Sequence, residues 1–163
     1  MGLDFLKRPL PSRPGCYVVL VQVSGAVLVG ARTLRALIGE GLYVYVGSGG
    51  GPGGIRARVS RHLRRRKPVR WHIDWLTSSG RARILGVAYC ESGQCGWLGE
   101  SVVAECLSGM GYKPVRGFGS TDDPRAESHL YRAPRGRDPS IVMADSLRCL
   151  EKAVGGRCGV VCF

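Results

Sequence analysis

The segment from Leu42 to His62 constrains this chain more than any other. Leu42-Tyr-Val-Tyr-Val-Gly-Ser-Gly49 is an apolar run carrying two tyrosines; it breaks into Gly50-Gly-Pro-Gly-Gly54 and resumes as Ile55-Arg-Ala-Arg-Val-Ser-Arg-His62. Alternation in the first part predicts a strand on which Tyr43, Tyr45 and Gly47 share one face. Glycine punctuation ends it, and the 3.6-residue spacing of Ile55, Val59 and Leu63 predicts a helix over 54–67, stopped by Pro68. A strand–glycine–helix junction of this kind brings tyrosine hydroxyls, backbone amides and guanidinium groups together. All three favour phosphate oxygens.

The phase of that helix sorts its side chains. At about 100° per residue, Ile55, Val59 and Leu63 lie within about 80° of one another, and Arg58, Arg61, His62 and Arg65 form a flank beside them. Arg58 and His62 fall one turn apart at the expected boundary between core and solvent, while Arg64 points outward.

Charge adds to this. The 163 residues carry a formal net charge of +12, with 24 Lys and Arg against 12 Asp and Glu. Arg56, Arg58, Arg61, Arg64, Arg65, Arg66, Lys67 and Arg70 supply eight of those bases within 56–70, a stretch without an acid. A local basic face of this density fits a polyanion, and Arg56, Arg61, Arg64, Arg65, Arg66, Lys67 and Arg70 are candidate nucleic-acid contacts. A solvated helix face is the plain alternative.

The length fits one domain or one domain plus a short appendage. No 18-residue apolar run and no signal-peptide core are present, so a cytoplasmic protein is expected. The seven cysteines, at 16, 90, 95, 106, 149, 158 and 162, form no CxxC pair, which argues against a zinc ribbon or finger. They read as small buried apolar residues with one or two thiols free to pair.

Along the chain, Gly15–Val23 reads as a buried strand, and 26–30 as its hairpin partner. Residues 31–41 are ambiguous. After the basic helix come a short helix at Trp71–Leu76, a strand at Arg81–Cys90 and a helix at Trp97–Met110. A turn-rich loop at Gly117–Asp123 precedes a short closing strand at Ser128–Arg132. Residues 1–133 are expected to form the domain. Residues 134–163 are read as a linker, a helix at Ser140–Val154 and a cysteine-bearing tail, an appendage rather than a second domain.

Gly49-x-Gly51-x-x-Gly54 formally matches a dinucleotide fingerprint, with Asp74 twenty residues on, but six residues holding five glycines satisfy almost any glycine pattern. A phosphate loop of the Walker type is excluded, because no Gly-Lys-Ser/Thr follows the glycines.

Gly15-Cys-Tyr17 and Tyr45-Val-Gly47 resemble the two half-motifs of the GIY-YIG nuclease superfamily, and Arg58-x-x-x-His62 resembles its helix motif. The pattern looks closer still to an uncharacterised, largely archaeal branch, whose domain occurs alone or joined to an endonuclease III-type glycosylase. Tyr43–Ser48, the glycine loop with Arg58 and Arg61-His62, Trp71-His-Ile-Asp74, and Gly117–Asp122 with Ser128-His-Leu130 carry that closer likeness. Asp123-Pro-Arg-Ala-Glu127 intervenes where the branch has a cysteine-bearing segment.

The resemblance implies an α+β fold, a compact domain with a small mixed or antiparallel sheet flanked by helices. It also implies a DNA endonuclease acting in repair or processing of DNA structures, using one Mg²⁺ (or Mn²⁺). The implied catalytic set is Tyr17, Tyr45, Arg58, His62 and Glu100. Glu100 is preferred to Glu105 as metal ligand because Glu100-Ser-Val-Val-Ala104 resembles the branch's glutamate motif. DNA is the implied partner, with RNA left open and a functional link to an endonuclease III-type protein. On the other side, Tyr17 and Tyr45 could cap the core, Arg58 and His62 could only bind phosphate, and Glu100 could be a surface residue. His72 and Asp74 read as local structure, Trp71 and Trp75 as packing, and His129 as a neighbour of the site. A nucleic-acid-binding module without cleavage is the alternative function.

Overall fold

The computed structural model describes residues 9–119 and 126–163. In chain order the elements are β1 (Gly15–Val23), β2 (Val27–Ala31), β3 (Leu34–Ile38), β4 (Gly41–Ser48), α1 (Gly54–Leu63), α2 (His72–Thr77), β5 (Ala82–Glu91), α3 (Gly96–Gly109), β6 (Lys113–Pro114), β7 (Leu130–Arg132), α4 (Pro139–Ala153) and β8 (Arg157–Cys162). The fold is α+β, as expected. Among the described residues, six strands form one sheet in the order β6-β7-β4-β1-β5-β8, and every pairing in it is antiparallel.

β1 reads as continuous apolar sequence because it is a central strand covered on both faces. Its two-residue period splits the core in two. Tyr17, Val19, Val21 and Val23 join Tyr43, Val87 and Leu130 beneath α1, α2 and the β2–β3 hairpin. Cys16, Val18 and Leu20 join Val44, Val46 and Ala88 beneath α3 and α4. Each fully buried aliphatic side chain of this kind contributes about 1.5–3 kcal/mol relative to exposure.

Four expectations change. β2 does not pair with β1; it pairs with β3 in a separate two-stranded sheet, with Val27, Val29 and Ile38 turned into the core. The ambiguous residues 31–41 therefore hold that hairpin's second strand. α1 stops at Leu63 rather than 67: Arg64 adopts an extended conformation, and residues 64–67 leave the helix before Pro68 is reached. The buried arc of α1 runs through Ile55, Val59 and His62, while Leu63 is exposed, so His62 lies inside the core rather than on its border.

The C-terminal segment is also more than an appendage. α4, capped by Asp138 accepting from the Ser140 amide at 2.8 Å with Pro139 at its first position, lies on the second face of the sheet. β8 then pairs with β5 from Gly86↔Cys162 to Glu91↔Arg157. Six of the seven cysteines are joined, as Cys16–Cys95, Cys90–Cys158 and Cys106–Cys149, and Cys162 is free and exposed. The part of the expected 117–123 loop at 120–123 lies outside the described residues. Among the described residues, no helix is long and apolar enough to cross a membrane.

Candidate functional site

The site forms where β1, β4 and α1 meet. Tyr17 and Gly47 are direct cross-strand partners. The Tyr17 ring lies across Gly47 so closely that a Cβ there would stand 2.6 Å from the phenol carbon and oxygen. Glycine at 47 is therefore what lets the tyrosine lie down toward α1. There its hydroxyl meets Nε2 of His62 at 2.8 Å, across 45 residues of sequence. Tyr45, two residues before Gly47, packs edge-on to the same imidazole at 5.7 Å between ring centres.

Burial decides the protonation of this group. His62 is 2% exposed, and burial, reinforced by the positive charge of Lys67, pushes its pKa down to about 4. It is a neutral imidazole at pH 7, and its Nδ1 is buried without a hydrogen-bond partner among the described residues. Burial raises the pKa of Tyr17 well above the ordinary phenol value, with Tyr45 and Glu100 adding to the rise and Arg58 opposing it. Tyr45 is raised in the same way, by burial first and then by the charges of Glu100 and Asp74. Both phenols keep their protons.

Arg58 is half-buried beside them, its guanidinium 4.7 Å above the Trp71 ring. Glu100 reaches the site from the first turns of α3 on the other face of the sheet. Its carboxylate lies 3.6 Å from Nδ1 of His129, whose own ring packs against Tyr45 at 6.5 Å. Glu105 instead is exposed and lines a separate cavity with Ser101, Ser108 and Tyr131. The structure thus brings Tyr17, Tyr45, Arg58 and His62 together, links Glu100 to them through His129 and leaves Glu105 apart.

The basic stretch divides. Arg64, Arg65, Arg66 and Arg70 are exposed. Arg61 turns inward and donates to Asp74 at 2.6 Å. The Lys67 side chain is buried, donating to the carbonyls of Arg61 and His62 and to Thr77 Oγ1, and so closing the C-terminal end of α1. Arg56 donates from Nε to the Leu10 carbonyl at 2.6 Å. These three expected nucleic-acid contacts have internal partners, although Arg56 is itself exposed. Asp74 is the cause for two of them. It is fully buried and, although burial pushes its carboxyl up, the amides of Trp71 and Arg70 and the Arg61 guanidinium hold it below the usual range.

The glycine junction also serves the chain itself. The amide of Gly49 donates to Gly15, that of Gly54 to Gly51, that of Ile55 to Arg13 and that of Arg56 to Pro11. Those four amides are not open to a phosphate, which counts against the dinucleotide reading. His72 is structural as expected: its Nδ1 accepts from the Gly119 amide at 2.7 Å, and its Nε2 meets Thr33 Oγ1 at 2.9 Å. Trp71 is the residue whose place the sequence conceals. Read from the sequence only as a packing residue, it packs against Arg58, Arg61 and His62 at once.

The family described as Domain of unknown function DUF123 matches residues 16–152. The chain belongs to this family. The matched span of the DUF123 domain begins one residue before Tyr17 and ends within α4, so it takes in every residue of the site. No curated protein and no solved structure matches the chain.

Proposed function

We propose that this DUF123 domain is a GIY-YIG-type endonuclease that hydrolyses a phosphodiester bond in DNA, with one Mg²⁺ or Mn²⁺ held at Glu100. The observation that carries this reading is the convergence of Tyr17, Tyr45 and His62 from β1, β4 and α1, with Arg58 joined to them over Trp71 and the Glu100 carboxylate reaching Tyr45 by way of His129. The donor set fits such an ion. Among the described residues no three His, Cys, Asp or Glu side chains stand together as a metal cage, and Mg²⁺ needs few protein ligands because it retains most of its waters.

When bound, the cation supplies positive charge to the scissile phosphate and acidity to an attacking water. The chain does the rest. Arg58 meets the charge that grows on the phosphoryl oxygens. Tyr45, half-buried and protonated, donates to a phosphate oxygen. Tyr17 takes the proton of the attacking water as its own proton passes to Nε2 of neutral His62, so the buried pair relays one proton without either group carrying charge beforehand. Arg64, Arg65, Arg66 and Arg70 hold the flanking backbone, giving a strong salt dependence.

One observation favours a second reading, a nucleic-acid-binding module without cleavage: Tyr17 is 2% exposed and its hydroxyl already faces His62. Nicking of supercoiled plasmid and of branched synthetic DNA with Mg²⁺ or Mn²⁺ separates the two. Cleavage abolished in both Glu100→Ala and Arg58→Ala, with DNA binding retained in Glu100→Ala, is the expected result. Tight binding with no cleavage of any substrate would leave the binding module in its place.

A further inference from the structure

A second cationic surface lies at the β6–β7 edge of the same sheet. Two cavities of about 300 and 280 Å³ adjoin there, sharing Arg132, Ala133, Pro134 and Arg135; Arg137 lines the first and Lys113 the second. Lys113 and Arg132 are direct cross-strand partners on β6 and β7. Like charges placed opposite each other in a ladder are destabilising unless an anion lies between or above them. The exposed Glu40 lines the first cavity, yet neither Lys113 nor Arg132 makes an ion pair among the described residues. Arg132 donates to the Glu40 carbonyl rather than to its carboxylate, and it lies 5.7 Å from the Tyr43 ring, which fixes where its guanidinium points. Asp145 is taken up by Arg137 at 3.0 Å and by the Tyr112 hydroxyl. Lys113 and Arg135 are exposed and make no ion pair among the described residues.

The position of this surface matters as much as its charge. Arg132 is the cross-strand partner of Tyr43, which shares a strand face with Tyr45. The first cavity is bordered by Gln22 and Val23, five and six residues beyond Tyr17 on β1. At about 3.3 Å per residue that is roughly 17–20 Å along the backbone of β1 from Tyr17, about half a turn of duplex.

We propose that Lys113, Arg132 and Arg135, at the β6–β7 edge of the sheet, form a second contact for the phosphodiester backbone of duplex DNA, separate from Arg64–Arg70. The inference rests on the nucleic-acid reading above and extends it: the duplex is held at two places rather than one.

The test is fluorescence anisotropy of a labelled mixed-sequence duplex of about 30 base pairs, titrated without divalent metal across a range of NaCl. Lys113→Ala/Arg135→Ala is expected to weaken binding about tenfold or more and to reduce the slope of log K against log [salt] by about 0.9 for each phosphate released. The melting temperature of Lys113→Ala should stay level or rise, since a like-charge pair is relieved. Arg64→Ala/Arg65→Ala serves as the control for the first contact. Unchanged affinity and slope in Lys113→Ala/Arg135→Ala, beside a clear decrease in the control, would overturn the second contact alone. Weaker binding in both variants without cleavage by the wild type would uphold it and remove the nuclease reading. A wild type with no salt-dependent DNA binding would remove both.

Discussion

The hydroxyl of Tyr17 and Nε2 of His62 lie 2.8 Å apart in the core, joined by a hydrogen bond between two neutral groups. Tyr45, Arg58, Arg61, Lys67 and Asp74 surround the imidazole, and its pKa of about 4 lies well below the ordinary 6.5. Below pH 6.5 the unfolded chain takes up a proton that the folded chain refuses. Stability from this residue is therefore complete above about pH 6.5 and is lost as pH falls toward 4. The interval corresponds to about 3 kcal/mol. Urea denaturation from pH 7 to pH 4 should show that slope, and His62→Gln should flatten it; an unchanged slope in the variant would assign the acid sensitivity to carboxylates.

Gly47→Ala places a methyl group where the Tyr17 ring now rests, 2.6 Å from its phenol carbon. Overpacking of this kind costs about 1–3 kcal/mol, and cleavage should fall with it. Because the damage acts through one ring, it should largely vanish in the background of Tyr17→Ala. A double-mutant cycle measured by chemical denaturation checks this, with strict additivity as the contrary result.

Asp74→Asn leaves Arg61 and Lys67 facing a neutral amide in a buried setting. Breaking a buried ion pair costs about 3–5 kcal/mol, so the melting temperature should drop by roughly 6–20 °C. A drop of a degree or two would show that the backbone amides of Arg70 and Trp71, rather than the two cations, are what Asp74 serves.

Alkylation in denaturant should modify one cysteine, Cys162, before reduction and seven after it, read as mass increments. Removing the Cys16–Cys95 bridge as Cys16→Ser/Cys95→Ser should lower stability by about 2–5 kcal/mol. It should also impair cleavage, because the bridge joins the neighbour of Tyr17 to the residue just before α3, which carries Glu100.

The strand–glycine–helix core of the site is legible from Leu42–His62 because strand and helix periods change there without ambiguity. The central strand β1 is legible too, but its partners are not. Ala26–Gly30 reads as a return strand, and only the tertiary packing of Val27, Val29 and Ile38 sends it to β3 instead. Helix phase places His62 beside the apolar stripe yet does not say which side of the stripe faces inward. Arg61 and Lys67 read as surface charge because nothing in a run of bases reveals a buried counter-charge. The signal is Asp74, the one acid between Glu40 and Glu91. The cysteine pairs are out of reach because each bridge joins segments brought together by the sheet and by α3 and α4.

Those three bridges also interlock. The loop closed by Cys16–Cys95 overlaps the one closed by Cys90–Cys158, and Cys106–Cys149 sits inside the second. Every peptide bond from 16 to 158 therefore lies within at least one covalent ring. Trypsin cutting once within the arginine-rich segment at 64–66 would add the mass of a water and release nothing. The molecule would come apart on a gel only after reduction, so an intact band without reductant says little about whether the backbone is whole.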